Sequence, residues 1–312
     1  MIDFRYHIVS LAAVLIALSI GIVLGAGPLN EGIGSTLTGE VSKLRAEKDA
    51  QRAEINELTR EASGRDAYDE ATLERVVSGR LRDRTVTVVT LPQADSTVTE
   101  ELVGTLKLAG ASVSDSIALT DAWVQQDEAA QTTRDRAGEE AASGEPVASG
   151  QQRIDVALGI ALTGQASGGR QVDTAGRQRI WSILKDADLL DGPDDVPTAT
   201  RLVVVTGGPV SADTADEATT LASAWVGTAA AIDARGAVVL TGTPRTVGGD
   251  TDVSVVTVAR ADATLSTGIS TVDVPELPLG RAALVLALVE QSDGGSGHYG
   301  LGADATAPIP EG

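Results

Sequence analysis

Hydrophobic positions divide the chain into three stretches with different periodicities. Residues 8–27 form an uncharged apolar run, and residues 37–62 repeat apolar positions with 4-3 spacing. Residues 84–291 alternate short β-branched runs with segments of helical spacing. A run of about 20 apolar residues matches the ~30 Å hydrocarbon core of a bilayer. The pattern predicts a transmembrane helix, a coiled-coil stalk and an α/β domain with a mainly parallel sheet, in that order.

The run from 8 to 27 indicates a retained anchor rather than a cleaved signal peptide, whose apolar region is usually only ~7–15 residues. Pro28 also stands directly after the small-residue cleavage candidate. Arg5 precedes the run and no basic residue follows until Lys43, so the positive-inside rule predicts a cytoplasmic tip and an extracytoplasmic main domain. Four small residues spaced four apart predict a face on which two helices pack closely: Ala13, Ala17, Gly21 and Gly25.

A coiled-coil stalk is predicted over residues 37–80, after a flexible break at 28–36. Its core positions are Leu37, Val41, Leu44, Lys48, Gln51, Ile55, Leu58 and Ala62. The two polar core residues weaken the seam, but they also restrict register and oligomer size. The alternative is one long amphipathic helix lying on its own domain, where Glu–Arg pairs within the helix would look similar.

Charges beside this seam favour a parallel homodimer. Glu40 and Glu47 occupy position g, while Arg45 and Arg52 occupy position e. In a parallel dimer each g residue meets the following e residue of the other chain, which gives two opposite-charge pairs, Glu40–Arg45′ and Glu47–Arg52′.

Between residues 84 and 291 the order of β and α patterns predicts an α/β sandwich. The predicted strands are Thr85–Leu91, Ser112–Leu119, Arg201–Thr206, Ala237–Thr241, Val253–Ala259 and Ile269–Asp273. The predicted helices are Thr97–Ala109, Arg177–Leu184, Ala212–Ala234 and Leu279–Gln291. Residues 122–150 are expected to form helix fragments and a mobile acidic loop around Glu139–Glu145. Asp155–Leu162 fits either helix or strand, and residues 292–312 form a Gly- and Pro-containing tail.

Composition restricts the chemistry. The net charge is −20, from 24 basic and 44 acidic residues, so the surface repels nucleic-acid phosphates and no nucleic-acid partner is expected. Cysteine is absent, which excludes disulfides, thiol catalysis and cysteine-based metal sites. Histidine occurs only as His7 and His298, and the single methionine is Met1.

Enzymatic signatures are also missing. The predicted strand ends at Gly207–Pro209 and Gly242–Arg245 match neither a phosphate loop nor a dinucleotide fingerprint, and tight turns are the favoured interpretation. No nucleophile-elbow motif precedes a serine. We therefore expect no enzyme and no cofactor. His298 is a weak candidate metal ligand, because it is the one imidazole predicted outside the membrane.

Several stretches resemble the actinobacterial MctB-like family, which is called SteB in corynebacteria. They are the opening MIDFRYHIVSLAAVLIALSIGIVLGAGPL, the segments LRDRTVTVVTLP and AGASVSDSIALTDAW, and the far-end motifs Ser270–Asp273, Gly280–Ala282, Leu284–Leu288, Glu290–Gln291 and Gly297–Gly300. The resemblance covers nearly the whole chain. The family is labelled as copper transport proteins, so the resemblance implies copper transport. For the corynebacterial members it also implies a membrane partner called SteA and a role in envelope integrity and daughter-cell separation.

The leading hypothesis is a non-enzymatic, homodimeric, single-pass scaffold or regulator of the cell envelope, working with a SteA-type membrane partner. One candidate partner contact is the segment Gly297, His298, Tyr299 and Gly300, if it is exposed; the alternative is a loop packed on the sheet with Tyr299 buried. Copper transport is the second hypothesis, and a small-ligand binder or enzyme at the strand ends is the third.

Overall fold

The computed structural model describes residues 4–25, 29–114, 116–147, 150–243, 251–262, 264 and 268–311, with the side chains of 29–38 outside the description. Contacts divide the chain into two compact units, Met1–Arg65 and Asp66–Gly312. The second unit contains the sheet and the buried core, so it holds the residues on which most of the chemistry depends.

The described residues of the first unit lie in two helices. Helix α1 (Phe4–Gly25) has a mean hydropathy of 2.7 over its most apolar window and is long enough to cross a membrane. Helix α2 (Leu29–Val77) runs for 49 residues and ends inside the second unit. It already includes residues 29–36, where the sequence predicted a flexible break. Gly32 and Gly34 each disfavour a helix by roughly 1 kcal/mol relative to alanine, but this cost does not stop one.

A mainly parallel sheet forms the centre of the second unit, as predicted. Its strands are β1 (Thr85–Thr90), β2 (Ser112–Val113), β3 (Ile117–Leu119), β4 (Leu190–Asp191), β5 (Leu202–Gly207), β7 (Ala237–Gly242), β9 (Ser270–Val272) and β10 (His298–Tyr299). The order is β10-β9-β7-β5-β1-β3-β4, with β2 also paired to β1, and β3–β4 is the antiparallel pair. Strands β6 (Pro209–Val210) and β8 (Val253–Ser254) form a separate antiparallel pair.

Helices cover both faces of this sheet, because alternate residues of its strands point to opposite sides. One face carries α4 (Glu128–Ala141), α5 (Gly150–Thr163), α6 (Thr174–Asp186), α7 (Ala215–Asp233) and α8 (Val255–Ala261). The other carries α3 (Ser96–Leu108), α9 (Pro278–Ser292) and the end of α2. Val86 and Val88 of β1 point into this second layer, whereas Val89 points into the first. The α/β fold class is confirmed.

Four local predictions need correction or refinement. Residues 128–141 form a regular helix rather than fragments, since Arg134, Ala137 and Ala141 bury one face. The predicted strand Val253–Ala259 is mostly helix α8. Gly150–Thr163 is helical, which resolves the open choice for Asp155–Leu162. The predicted tail contains strand β10.

Candidate functional site

Four apolar side chains on the first unit's part of α2 lie exposed. We call Val41, Leu44, Ile55 and Leu58 the stalk stripe; they are 40%, 60%, 61% and 57% exposed. Burying apolar area is favourable by about 25 cal/mol per Å². A complex in which another surface covers the stripe would therefore be stabilised. Leu37 precedes the stripe in the same helix, although its side chain lies outside the described residues.

Charged residues flank the stalk stripe. Glu47 forms an exposed ion pair with Lys43, the two groups lying 4.0 Å apart. Arg45 and Arg52 have no ion pair with any residue of the described ranges. Their guanidinium groups are free to meet carboxylates of another chain. Glu40 is exposed as well, and the pairing of positions g and e remains a prediction.

The small residues predicted to pack two membrane helices are all exposed on α1. A methyl group added at Gly21 or Gly25 would meet no atom within 4 Å. Ala13 and Ala17 precede them at the same spacing. This face of α1 is therefore open to another helix.

The end of α2 is part of the second unit's core. Leu73 and Val77 are 4% and 0% exposed. Arg281, in the first turns of α9, donates to the carboxylates of Glu70 on α2 and Glu101 on α3. Its side chain is buried while both glutamates are half-exposed. One guanidinium thus joins three helices.

A second buried cluster lies where β9 and β10 end. Arg260 of α8 donates from Nη1 to Asp273 Oδ2 at 2.8 Å and to Asp304 Oδ1 at 2.9 Å. It also donates from Nε to Thr271 Oγ1 at 2.8 Å. The side chains of Arg260 and Asp273 are 2% and 0% exposed. We call Arg260, Thr271, Asp273, His298 and Asp304 the tail cluster.

Asp273 anchors the chain's final residues to the sheet. Its Oδ1 accepts from the backbone N–H of Leu301 at 2.7 Å, and its Oδ2 accepts from Gly302 at 3.0 Å. Thr306 donates its backbone N–H to the carbonyl of His298 at 2.8 Å. The tail therefore covers the outer edge of β10, which would otherwise present unpaired strand groups.

The hydrogen bonds around His298 indicate its tautomer. Because Thr271 Oγ1 already accepts from Arg260, its own hydrogen is available to His298 Nδ1, 3.0 Å away. A hydroxyl that donates to Nδ1 places the ring proton on Nε2. Burial and the charge of Arg260 lower the pKa of His298, outweighing the opposite effect of Asp304. The hydrogen bond at Nδ1 and the half-buried position of His298 suit a structural role better than metal ligation.

The segment Gly297–Gly300 packs against the sheet with Gly297 and His298 half-buried, and its role as a partner contact remains a prediction. Tyr299 is 6% exposed and donates its hydroxyl to Glu290 at 2.5 Å, so the alternative of a buried tyrosine is the correct one. A Cβ at Gly300, whose φ is +132°, would lie 1.9 Å from Asp273 Oδ1. A Cβ at Gly297 would lie 2.3 Å from the Tyr299 hydroxyl. Close packing accounts for both glycines.

The strand ends show close backbone packing. A Cβ at Gly208 would lie 2.0 Å from the carbonyl oxygen of Gln93, and one at Gly207 would lie 3.0 Å from the Leu91 side chain. The loops after β1 and β5 thus meet above the sheet, at the point where ligands enter many parallel-sheet proteins. Of the other candidate, Gly242–Arg245, only Gly242 and Thr243 are described.

Sequence reasoning missed one buried polar network. Asp155 is 4% exposed, and its Oδ1 accepts from Trp123 Nε1 at 2.9 Å, Thr228 Oγ1 at 2.7 Å and Gln151 Nε2 at 3.1 Å. Burial raises the pKa of Asp155 to about 6, against the opposing hydrogen bonds and the nearby Arg134. The only sequence signal was a lone aspartate in an apolar helical run, which marks burial but not its partners.

Side chains that could bind a metal ion are scarce in the described part of the chain. Across the described ranges no three His, Cys, Asp or Glu residues are grouped to hold one ion. The whole sequence contributes two histidines, one methionine and no cysteine. Cu(I) prefers sulfur ligands and Cu(II) prefers imidazole nitrogen, so this donor set fits a dedicated copper site poorly.

Comparison with known proteins places these features in a family. The family profile described as "Copper transport outer membrane protein, MctB" matches residues 1–310. The copper transporter MctB of Mycobacterium tuberculosis is 32% identical over 316 residues, covering 97% of each chain, and that of Mycobacterium bovis gives the same values. The copper transporter MctB of Mycobacterium leprae is 30% identical over 324 residues, covering 98% of each. The family description and helix α1 indicate a membrane protein, and the chain belongs to the MctB family.

Proposed function

We propose that this chain is a single-pass membrane protein that forms a parallel homodimer and acts as a non-enzymatic scaffold or regulator of the cell envelope. Its N-terminus lies in the cytoplasm, and α2 holds the α/β unit outside. The observation that carries the proposal is the stalk stripe, which is exposed on a helix directly following one of membrane-spanning length.

A second copy is the partner that best fits the stalk stripe. Leu44 and Leu58 occupy core positions of the heptad, and each would meet its own counterpart in a parallel dimer. Arg45, which lacks an ion pair in the described part of the chain, would meet Glu40 of that copy. On α1 the open small-residue face at Gly21 and Gly25 supports the same pairing within the membrane.

The cellular role follows from this form. A dimer that presents two α/β units on one anchor suits a protein that binds other proteins, and the resemblance to SteB points to a SteA-type membrane partner in envelope integrity and daughter-cell separation. The α/β unit shows close packing at its strand ends, where Gly208 touches the backbone of Gln93. This packing leaves little room for a small substrate beside Gly208.

Copper handling is the second candidate, favoured by the family description and the names of the relatives. Copper would be a cargo of the protein rather than a resident cofactor. Titration of the full-length protein with Cu(I) and Cu(II), beside a His298→Ala variant, tests it. Tight stoichiometric binding lost in the variant would move copper to first place, whereas weak binding equal in both proteins would count against a site at His298.

The homodimer is tested by light scattering on the full-length protein in detergent. We expect a dimer mass for the wild type and a monomer mass for a Leu44→Asp, Leu58→Asp double variant. The matched control is Ala46→Asp, Ala53→Asp, which adds the same charge at two exposed positions f of the same helix and should stay dimeric. A monomeric wild type would refute the homodimer, and a dimeric core variant would show that the stalk stripe is not what holds it.

The role is tested by deleting the gene in the native host and restoring each variant. We expect the deletion strain to fail in daughter-cell separation, the control variant to rescue it, and the stalk variant to fail despite normal protein levels. Growth on a copper series is measured in the same strains. A deletion strain that separates normally but is copper-sensitive would overturn the scaffold role and favour copper handling.

A further inference from the structure

The heptad pattern of α2 continues beyond the stalk stripe into the second unit. Because α2 is one helix from Leu29 to Val77, the seven-residue phase can be counted past Ala62 without a break. The next core positions are Arg65 (d), Asp69 (a), Thr72 (d) and Val76 (a). We call these four residues the seam extension.

The α/β unit packs on a different side of the same helix. Leu73 and Val77, which are buried in its core, occupy positions e and b. Glu70, which binds Arg281, also occupies position b. At 3.6 residues per turn, the midpoint of positions b and e lies about 100° around the helix from the midpoint of positions a and d. The helix's own unit leaves Val76 39% exposed, while Asp69 and Thr72 are partly buried.

The side chains of the seam extension are compatible with a second copy. Thr72 donates its hydroxyl to the carbonyl of Tyr68 at 3.0 Å, so its methyl group can face a neighbour without leaving a polar atom unpaired. In a parallel dimer a residue at d packs beside the following a residue of the other chain, which brings Arg65 to Asp69′. This contact pairs opposite charges.

One contact along the seam extension brings like charges together. Glu61 at position g would face Asp66′ at the following position e. Glu61 already has an ion-pair partner in its own chain, Arg65 Nη2, at 3.4 Å. A guanidinium has five donors, so Arg65 can serve both Glu61 and Asp69′ and offset the repulsion.

We propose that the interface between two copies continues through the seam extension, so that the last turns of α2, which carry the α/β unit, are themselves part of the dimer contact. This inference rests on the proposed homodimer. It adds a consequence: the two α/β units are held by paired helices at their base rather than on separate, freely moving arms.

Cysteine cross-linking tests the inference cleanly, because the chain contains no native cysteine. Full-length single-cysteine variants in detergent are treated with diamide, with Leu44→Cys as the reference in the stalk. The test variants are Thr72→Cys and Val76→Cys. The matched controls are Ala71→Cys and Glu74→Cys, exposed residues at positions c and f of the same turns. Disulfides require Cα atoms within about 7 Å, which in a parallel dimer is met at a and d but not at c and f.

We expect Thr72→Cys and Val76→Cys to form disulfide dimers at least about tenfold faster than the two controls, because only core positions bring equivalent Cα atoms within bonding reach. The rates should not change on dilution, since the dimer exists before oxidation. Unchanged tryptophan fluorescence shows that each variant is folded, and Thr72→Cys keeps the test valid if Val76→Cys is not.

The outcomes separate this inference from the proposed function. Fast cross-linking of Leu44→Cys with rates at 72 and 76 equal to those of the controls would overturn the seam extension and leave the homodimer standing. Absence of cross-linking at Leu44 as well as at 72 and 76 would refute the homodimer and the seam extension together.

Discussion

Replacing Asp155 by asparagine should remove much of the pH dependence of the α/β unit's stability. Asp155 lies on α5, fully enclosed, and one of its oxygens accepts three hydrogen bonds. Asparagine has nearly the same shape, and its carbonyl oxygen can accept the same bonds from Trp123, Thr228 and Gln151. The substitution therefore removes an ionisable group while leaving the hydrogen bonds in place.

The size of the effect follows from the pKa of Asp155, which burial raises from 3.8 to about 6. This difference corresponds to about 3 kcal/mol. Since the folded state disfavours the charged form, the contribution of Asp155 to stability is fully present below pH 4 and is lost as the pH rises from about 4 to about 6. The loss remains in full above the folded-state pKa, so it is complete near neutral pH.

Urea unfolding of the full-length protein in non-ionic detergent, followed by tryptophan fluorescence, measures this effect. Trp123, one of three tryptophans, donates directly to Asp155, so part of the signal comes from the site itself. We expect Asp155→Asn to match the wild type at pH 4 and to be up to about 3 kcal/mol more stable at pH 7.5.

Two comparison variants make the result interpretable. Burial also raises the pKa of Asp233 to about 6, so the wild type has a second acidic contribution of the same sign, which Asp233→Asn isolates. Asp155→Ala removes the acceptor that three donors share and leaves only the longer contacts of Trp123 Nε1 with Thr228 Oγ1 and of Thr228 Oγ1 with the Ala224 carbonyl, both 3.2 Å. This variant should be destabilised at both pH values, by about 1–3 kcal/mol. If Asp155→Asn kept the full pH slope of the wild type, the assignment of that slope to Asp155 would be wrong.

Two further substitutions test how the second unit is built. Gly300→Ala places a methyl group against Asp273 and forces a positive φ on an alanine. We therefore expect a loss of more than about 2 kcal/mol in the free energy of unfolding and faster proteolysis of the tail. A tail as protected as in the wild type would contradict the role of Asp273 as its anchor. Leu73→Ala should lower the free energy of unfolding by about 2–4 kcal/mol because the side chain is buried. Leu58→Ala should change the free energy of unfolding of the α/β unit by no more than about 0.5 kcal/mol. Equal effects in urea unfolding would contradict the assignment of Leu73 to the core.

Periodicity predicted the elements that have a strong repeat of their own. The β-branched runs at Thr85–Thr90, Leu202–Gly207 and Ala237–Gly242 are the central strands, because strands buried on both faces are apolar throughout. Helix α9 was predicted within one residue at each end. In these segments local pattern and tertiary burial agree.

Short edge elements could not be read in the same way. Strands β4 and β10 have two residues each, too few for any periodicity, and exist because a neighbouring strand pairs with them. Residues 253–259 are rich in valine, whose β-propensity is overridden when the segment packs as helix α8 on the sheet. The tail cluster could not be predicted from the sequence for a related reason. Arg260 and Asp273 are 13 residues apart, and only the fold brings them together.

Two of the far-end motifs that carry the family resemblance, Ser270–Asp273 and Gly297–Gly300, are accounted for by packing. Asp273 and Gly300 hold the tail against the sheet edge, while His298 and Tyr299 hydrogen-bond to neighbouring side chains. Sharing these motifs therefore implies a shared fold, whereas function depends on sites that packing does not explain. In the described part of Met1–Arg65 the stalk stripe and the small-residue face of α1 both lie exposed, and we propose both as surfaces for a second copy. The activity of this protein is therefore best sought first in what α2 assembles with.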